Sequence, residues 1–301
     1  MKIRRVGAYG FARDQDDRVL LARGSAASEF PGTWTLPGGG VEQGEHPDDA
    51  VVREFAEETG LSVRVTALRS VTADVVRLPS GALEHTDRVI YDVAVTGGTL
   101  RDEVEGTTDR VAWAGPADLA AGPLLPWTAR LLGRDVPDAP VEKDLSEPVR
   151  RSDRVQRFGA YALATDPAGR ILLTKIAPGY PGAGRWHLPG GGTDHGETPE
   201  QALARELVEE TGQHGRIDGL LAVSHRHDPA AVGPERVPID WHVIRVLFRV
   251  RIDQPVEPVV TEAAGGSTQA AGWFTPAEAA TLPLTEGARA AVKRLALEGV
   301  G

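Results

Sequence analysis

The chain contains no cysteine. That excludes a disulfide framework, a thiolate nucleophile and a cysteine-ligated zinc site, and it is compatible with a reducing cytoplasm, the expected location. An apolar run of about 20 residues, long enough to cross a bilayer as a helix, is also missing, so no membrane contact is expected. The basic start Met1-Lys2-Ile3-Arg4-Arg5 leads into no apolar stretch, which speaks against a secretory signal. Positive charge is in deficit: 33 Lys and Arg against 43 Asp and Glu leave a net charge of −10. This balance disfavours a nucleic-acid-binding surface. It leaves room for an anionic small molecule, because a divalent cation reverses the local sign.

What is present is a duplication. The 301 residues suit two domains, and 41% hydrophobic residues can fill a core in each. Residues 4–23, RRVGAYGFARDQDDRVLLAR, resemble residues 156–175, QRFGAYALATDPAGRILLTK. WTLPGGG at 34–40 returns as WHLPGGG at 186–192. Gly7 and Gly159, Trp34 and Trp186, Gly39 and Gly191 are all 152 residues apart, a register kept without a gap. Later, Trp113 and Trp273 stand 160 apart, so the second copy has 8 extra residues in its middle. The expected domains are 1–135 and 154–301. The linker between them, 136–153, is rich in proline and charge and reads either as exposed chain or as an irregular strap along a domain.

Within each copy, VGAYGFA or FGAYALA reads as a strand, followed by a turn and a second strand, RVLLAR or RILLTK. A Gly/Pro-rich loop then leads to a helix, Pro47 to Thr59 or Pro199 to Thr211, with proline suited to the first turn and Gly60 or Gly212 to the end. Further strands cover Arg88–Val95 and Trp241–Val250, and a helix is expected after the proline of GPADLA and of TPAEAA. The expected class is α/β with mixed sheets.

The two loop-helix segments, GGVEQGEHPDDAVVREFAEETGL (39–61) and GGTDHGETPEQALARELVEETGQ (191–213), agree at 12 of 23 positions. The agreements are glycines, Glu45/Glu197, Arg53-Glu54/Arg205-Glu206 and Glu57-Glu58/Glu209-Glu210, chemical positions more than packing ones. Spacings of three and four put Glu54, Glu57 and Glu58 on one helix face, and Glu206, Glu209 and Glu210 likewise. Three carboxylates there repel unless a cation sits among them, and Mg²⁺ or Mn²⁺ suits hard oxygen ligands. Arg53 and Arg205 lie one turn before Glu57 and Glu209, in reach to orient them. A solvated acidic face is the bland alternative for one copy. The same acids in both copies, between residues that have drifted, weigh against it.

Both segments resemble the Nudix box, GX5EX7REUXEEXGU, where U is a bulky aliphatic residue. Phe55 stands at an aliphatic position and Gln213 at the last apolar one, departures that bear on packing more than on chemistry. The resemblance implies two α/β/α sandwich domains in tandem and a cytoplasmic pyrophosphohydrolase acting on a nucleoside diphosphate linked to another moiety. Bound Mg²⁺ would neutralise phosphate oxygens and lower the pKa of the attacking water. It also implies metal ligands among Glu57, Glu58, Glu209 and Glu210, with Glu54 or Glu206 as a further ligand or the general base. The carbonyl of Gly38 or Gly190 would complete each site, and Glu45 and Glu197 would serve as outer ligands.

An extra acid from a loop outside the box is a family habit. DEVEGTTDRVAW offers Glu103, Glu105 and Asp109, with Glu105 taken as the catalytic candidate. Under the offset of 160, Gly265 and Gln269 stand opposite Glu105 and Asp109, leaving only Glu262 nearby, so the first copy is expected to be the more competent. His225, His227, Asp240 and His242 of the second copy read as substrate contacts, a second metal site or, more simply, exposed polar residues. Trp34 and Trp186 read as base-stacking or loop-anchoring. The rival functions are a nucleotide-binding sensor with silent boxes, against which both boxes keep their acids, and a related isomerase, whose chemistry usually brings a cysteine. The substrate, the bond cleaved and the oligomeric state are not legible in the sequence.

Overall fold

A computed structural model of the chain describes residues 1–104, 106–115, 117–118, 122–136, 154–232, 237–261 and 266–298. Contacts divide it into two units, Met1–Arg157 with Ser224–Ile244, and Phe158–Val223 with Arg245–Gly301. By this division the segment Ser224–Ile244 of the second copy counts with the first unit. The expected linker falls almost wholly outside the described residues.

In the first unit, β1 (Lys2–Phe11) runs parallel to β6 (Leu83–Gly98) and antiparallel to β4 (Gly38–Gly40), and β6 pairs antiparallel with β5 (Leu61–Arg77). This gives a mixed sheet of order β4-β1-β6-β5. A second sheet of order β3-β2-β7 joins Trp34–Thr35, Val19–Gly24 and Thr108–Ala114. Side chains alternate along β1. Tyr9 and Phe11 join a buried cluster with Val19, Leu21, Leu36, Ile90 and Trp127, the last from helix α2 (Pro126–Leu131). Gly10 turns the other way: a Cβ there would meet the Phe55 ring of α1 (Pro47–Thr59) at 2.3 and 2.9 Å, so glycine is what lets the helix lie close on the sheet.

The second copy is built alike around β8 (Arg154–Thr165), β9 (Ile171–Ile176), β10 (Trp186–His187), β11 (Gly190–Gly192), β12 (Arg216–Val232), β13 (Pro238–Arg251) and β14 (Thr268–Phe274). The strand order is β10-β9-β8-β13-β12, with β11 on β8 and β14 on β9. Leu163, Ile171 and Leu173 pack with Ala279 of α4 (Pro276–Thr281) and with Ala288, Ala291 and Val292 of α5 (Glu286–Glu298). The helix α4 falls where TPAEAA predicts one. Its counterpart after GPADLA lies mostly outside the described residues, and α2 and α5 were not read from the sequence. No helix among the described residues is long and apolar enough to cross a membrane.

Candidate metal-binding and catalytic site

Each box helix forms where its caps and periodicity put it. Helix α1 starts on Pro47 after the N-cap His46, whose ring accepts the Asp48 N–H, and stops at Gly60 with φ 72°. Helix α3 (Pro199–Thr211) starts with a reciprocal capping box between Thr198 and Gln201 and stops at Gly212 with φ 68°. Ala50, Val51 and Phe55 in α1, and Ala202, Leu203 and Leu207 in α3, are buried. They fix the rotation of each helix and therefore the direction of its acids.

One arginine organises the acids of each copy. In the first, Arg53 Nε and one terminal nitrogen donate to the two oxygens of Glu45 at 2.9 and 3.0 Å, and that nitrogen also reaches the Gly40 carbonyl at 3.0 Å. The other terminal nitrogen donates to Glu54 at 3.0 Å and to Glu57 at 3.2 Å. In the second, Arg205 makes the same contacts to Glu197 at 2.9 and 3.0 Å, Gly192 at 3.0 Å, Glu206 at 2.9 Å and Glu209 at 3.2 Å. The fork therefore spends all its directions on the loop and three carboxylates. Gly39 lets Glu54 come in: a Cβ there would stand 2.6 Å from a Glu54 oxygen, and Gly191 stands to Glu206 in the same way.

The last acid of each set is held from elsewhere. Glu58 is buried and accepts the Gly38 N–H at 2.9 Å and the Thr108 hydroxyl at 2.8 Å. Glu210 accepts the Gly190 N–H at 2.8 Å and the Thr268 hydroxyl. The threonines were missed in the sequence, although a signal was there: Thr108 and Thr268 precede Trp113 and Trp273 by equal distances.

Burial pushes the Glu58 carboxyl up to about 7 despite those two hydrogen bonds, with Glu54 and Glu103 nearby adding to the rise. Burial also raises Glu54, opposed by Arg53. At Glu45 burial acts upward, but Arg53 and the Glu42 N–H outweigh it and hold the carboxyl below its ordinary range. Arg53 and Arg205 are raised, first by their hydrogen bonds to Glu45 and Glu197, and stay charged.

The donor set is oxygen throughout, and Glu58 is a carboxylate whose charge burial resists, which is the situation a cation relieves. The residues fit Mg²⁺ or Mn²⁺. Among the described residues no three acidic or imidazole groups close into a tight metal cage.

Of the loop acids, Glu103 accepts the Thr108 N–H at 2.9 Å, and Asp109 pairs with Arg23 at 2.7 Å. Glu105, Glu262 and Gly265 lie outside the described residues. Trp186 packs edge-on to Phe274 at 4.9 Å, and Trp34, partly buried, packs against the cluster of Tyr9 and Trp127. Gln213, at the apolar position of the box, is buried and bonds the Val256 N–H and carbonyl at 3.1 and 3.0 Å. The histidines of the second copy are not simply exposed: His242 is fully buried, 3.1 Å from His225.

Comparison with known proteins agrees with this geometry. The NUDIX domain pattern matches residues 2–134 and again 155–295. The chain is 39% identical over 88 residues to an ADP-ribose pyrophosphatase of Methanocaldococcus jannaschii, covering 29% of this chain and 50% of that one. It is 34% identical over 119 residues to the nucleoside triphosphatase NudI of Escherichia fergusonii, covering 38% and 77%. A diphosphoinositol polyphosphate phosphohydrolase of Mus musculus is 38% identical over 68 residues, 23% of this chain and 40% of that one. The chain thus spans half or less of the first and third of these relatives. Among solved structures, a MutT NUDIX hydrolase from Burkholderia pseudomallei is 34% identical, covers 46% of this chain and 97% of its own, and has a TM-score of 0.37. With two matches that together take in most of its length, the chain belongs to the NUDIX family and carries two NUDIX domains in tandem.

Proposed function

We propose that the chain is a divalent-metal-dependent hydrolase of phosphoric anhydride bonds, acting on a nucleoside diphosphate linked to another moiety. The observation that carries this reading is the arginine fork, built twice with the same partners, which presents three carboxylates beside a fourth held by a backbone N–H. The arginines and their three carboxylate partners are polar and partly exposed, so their repetition does not serve to fill a core.

In this reading Glu57 and Glu58, or Glu209 and Glu210, hold Mg²⁺, with Glu54 or Glu206 as a further ligand or the base for water. The carbonyls of Gly38 and Gly190 complete each set. When bound, the ion neutralises charge on the diphosphate and lowers the pKa of the attacking water. Arg53 and Arg205 keep the acids in place, and Glu45 and Glu197 keep the arginines in place, both oxygens of each being engaged. Glu105 adds an acid to the first site; its neighbours Glu103 and Thr108 lie beside Glu58, which supports the assignment. The second site, with Gln269 where the first has Asp109, is slower or takes another substrate.

The printed activities of the relatives, on ADP-ribose, nucleoside triphosphates and diphosphoinositol polyphosphates, mark the substrate classes to try. A panel of ADP-ribose, nucleotide sugars, nucleoside triphosphates and dinucleoside polyphosphates, incubated with Mg²⁺ or Mn²⁺ and resolved by phosphate product, tests the reading. Turnover of at least one, lost in EDTA, is expected. No turnover of any with either ion overturns it.

A further inference from the structure

The loop that supplies Glu45 is gripped by side chains almost 200 positions away in sequence. All of them belong to the first unit, Met1–Arg157 with Ser224–Ile244. The Gly44 N–H donates to His242 Nδ1 at 3.2 Å, and Gln156 Nε2 lies 3.3 Å from the same nitrogen. An N–H can only donate, so Nδ1 accepts and the proton of neutral His242 sits on Nε2. That proton points at His225 Nδ1, 3.1 Å away. His225 then carries its own proton on Nε2, and its ring bonds the backbone of Glu45. Two imidazoles set edge-on thus clasp the backbone of consecutive residues, the N–H of Gly44 and the carbonyl of Glu45.

A parallel grip acts one residue earlier. Gln43 Nε2 donates to the Asp240 carbonyl at 3.0 Å and to its carboxylate at 3.1 Å, and His227 Nε2 holds that carboxylate at 2.6 Å. Gln156 also donates to the Val41 carbonyl at 3.0 Å. The fit is close. Gly44 has φ 84°, and a Cβ on it would stand 2.6 Å from His227 Nδ1, so both its backbone conformation and the ring above it demand glycine. Burial, with His225 and His227 alongside, pushes His242 down to about 4, which keeps the neutral tautomer that the hydrogen bonds require.

We propose that His242, with His225, His227 and Asp240, is a positioning unit for the first acidic box: strands of the second copy fix Gln43–Glu45, Glu45 fixes Arg53, and Arg53 fixes Glu54 and Glu57. The inference rests on the reading of that box as a metal site. It gives the histidines of β12 and β13 a purpose other than touching substrate or binding an ion of their own. The first box is therefore complete only when the second copy is present in the chain.

The test uses the full chain with Glu206→Gln and Glu209→Gln, so that the first box is the measured site. Mn²⁺ binding, without substrate, is followed by electron paramagnetic resonance, and hydrogen exchange is followed at the Gly44 amide. His242→Ala is expected to weaken Mn²⁺ binding by about 10-fold, the usual cost of losing a partner behind a metal ligand, and to speed Gly44 exchange. His242→Asn, whose Oδ1 lies where Nδ1 did, is expected to recover most of both. Mn²⁺ binding unchanged in His242→Ala overturns the proposal, as does equal loss in the Ala and Asn variants with Gly44 still protected. If the parent binds no Mn²⁺, the metal reading fails instead, and unchanged Gly44 exchange in His242→Ala then overturns the clasp separately.

Discussion

The two copies share a clamp and differ in the walls around it. In the first, Tyr9 lies tilted against Trp127 with ring centroids 4.7 Å apart, and the Arg88 guanidinium stands 5.1 Å over the same tryptophan. In the second, the position 160 residues after Trp127 is Gly287, exposed, with nothing within 4 Å of where a Cβ would be. Tyr161, the counterpart of Tyr9, instead has the Arg245 guanidinium 5.9 Å from its ring. Thr35, hydrogen-bonded to Thr128 at 3.0 Å, becomes His187. In the first copy Trp127 covers Tyr9, whereas in the second no side chain stands at the matching position and Tyr161 has an arginine by its ring. Duplication has kept the clamp, the metal site of the proposed function, and changed the side chains beside it. Under the proposed function, two sites of one chemistry and unequal preference are expected.

The sharpest way to break that comparison is to disable the copies one at a time. Glu57→Gln is expected to cost on the order of 10²-fold at the first site, the scale of losing one charge-stabilising group from a catalytic centre, and to remove most of the total turnover. Glu209→Gln should remove the smaller share. Initial rates on each compound of the panel decide it, and a larger loss from Glu209→Gln would reverse the proposed order of the copies.

The forks supply the opposite expectation, that of equality. Arg53 and Arg205 make the same five contacts at distances that agree within 0.1 Å. Arg53→Ala and Arg205→Ala should therefore each raise the Mg²⁺ concentration for half-maximal turnover at their own site by about 10-fold. Metal titrations in which one variant shifts and the other does not would show that the resemblance of the clamps is only geometric.

Much of this was legible in the sequence, for a physical reason. A helix repeats every 3.6 residues, so Glu54, Glu57 and Glu58 announce a shared face by spacing alone, and proline and glycine mark the helix ends to the residue. Local interactions leave local signatures. The fork onto Glu45 was only half visible, because it needs the glycine loop to fold back eight residues along the chain. The His242 clasp was not visible at all. Its partners, Gly44 and His242, are 198 positions apart, and nothing in HDPAAV or PIDWHV says that the strands will extend to the first unit. The burial of His242 follows from that reach and not from its neighbours in sequence. Thr108 was a different failure: the repeat displayed it, but a threonine in a strand reads as ordinary β-propensity until the buried Glu58 beside it needs a donor.

Stability should separate the copies where turnover does not. Burial, with Arg245 nearby, pushes His187 down to about 4, and its Nε2 has no hydrogen-bond partner among the described residues. A histidine depressed in the folded state is neutral there while the unfolded chain takes up a proton. Its full stability is therefore present above about 6.5 and is lost as pH falls toward 4. Because solvent reaches part of the ring, a loss of about 1 kcal/mol is expected rather than the whole shift. His187→Thr, which installs the residue of the first copy, should flatten the pH dependence of the denaturation midpoint between those values. An unchanged slope would assign the acid sensitivity to other groups.

The smallest expected effect tests whether the box can depart from its own pattern. Leu61 ends the first box as an apolar core residue, whereas Gln213 ends the second by pairing with Val256 through both its amide groups, as a strand would. Gln213→Leu restores the pattern but gives up these bonds. Val256 is exposed, so its freed N–H can turn to water while its carbonyl keeps the Trp273 Nε1 donor at 3.4 Å, and the added apolar burial offsets part of the loss. A net destabilisation of about 0.5 kcal/mol is expected in urea denaturation, with kcat at both sites unchanged. A fall in second-site turnover would show that the Val256 loop reaches the chemistry, and that Gln213 belongs with the residues that make the copies unlike.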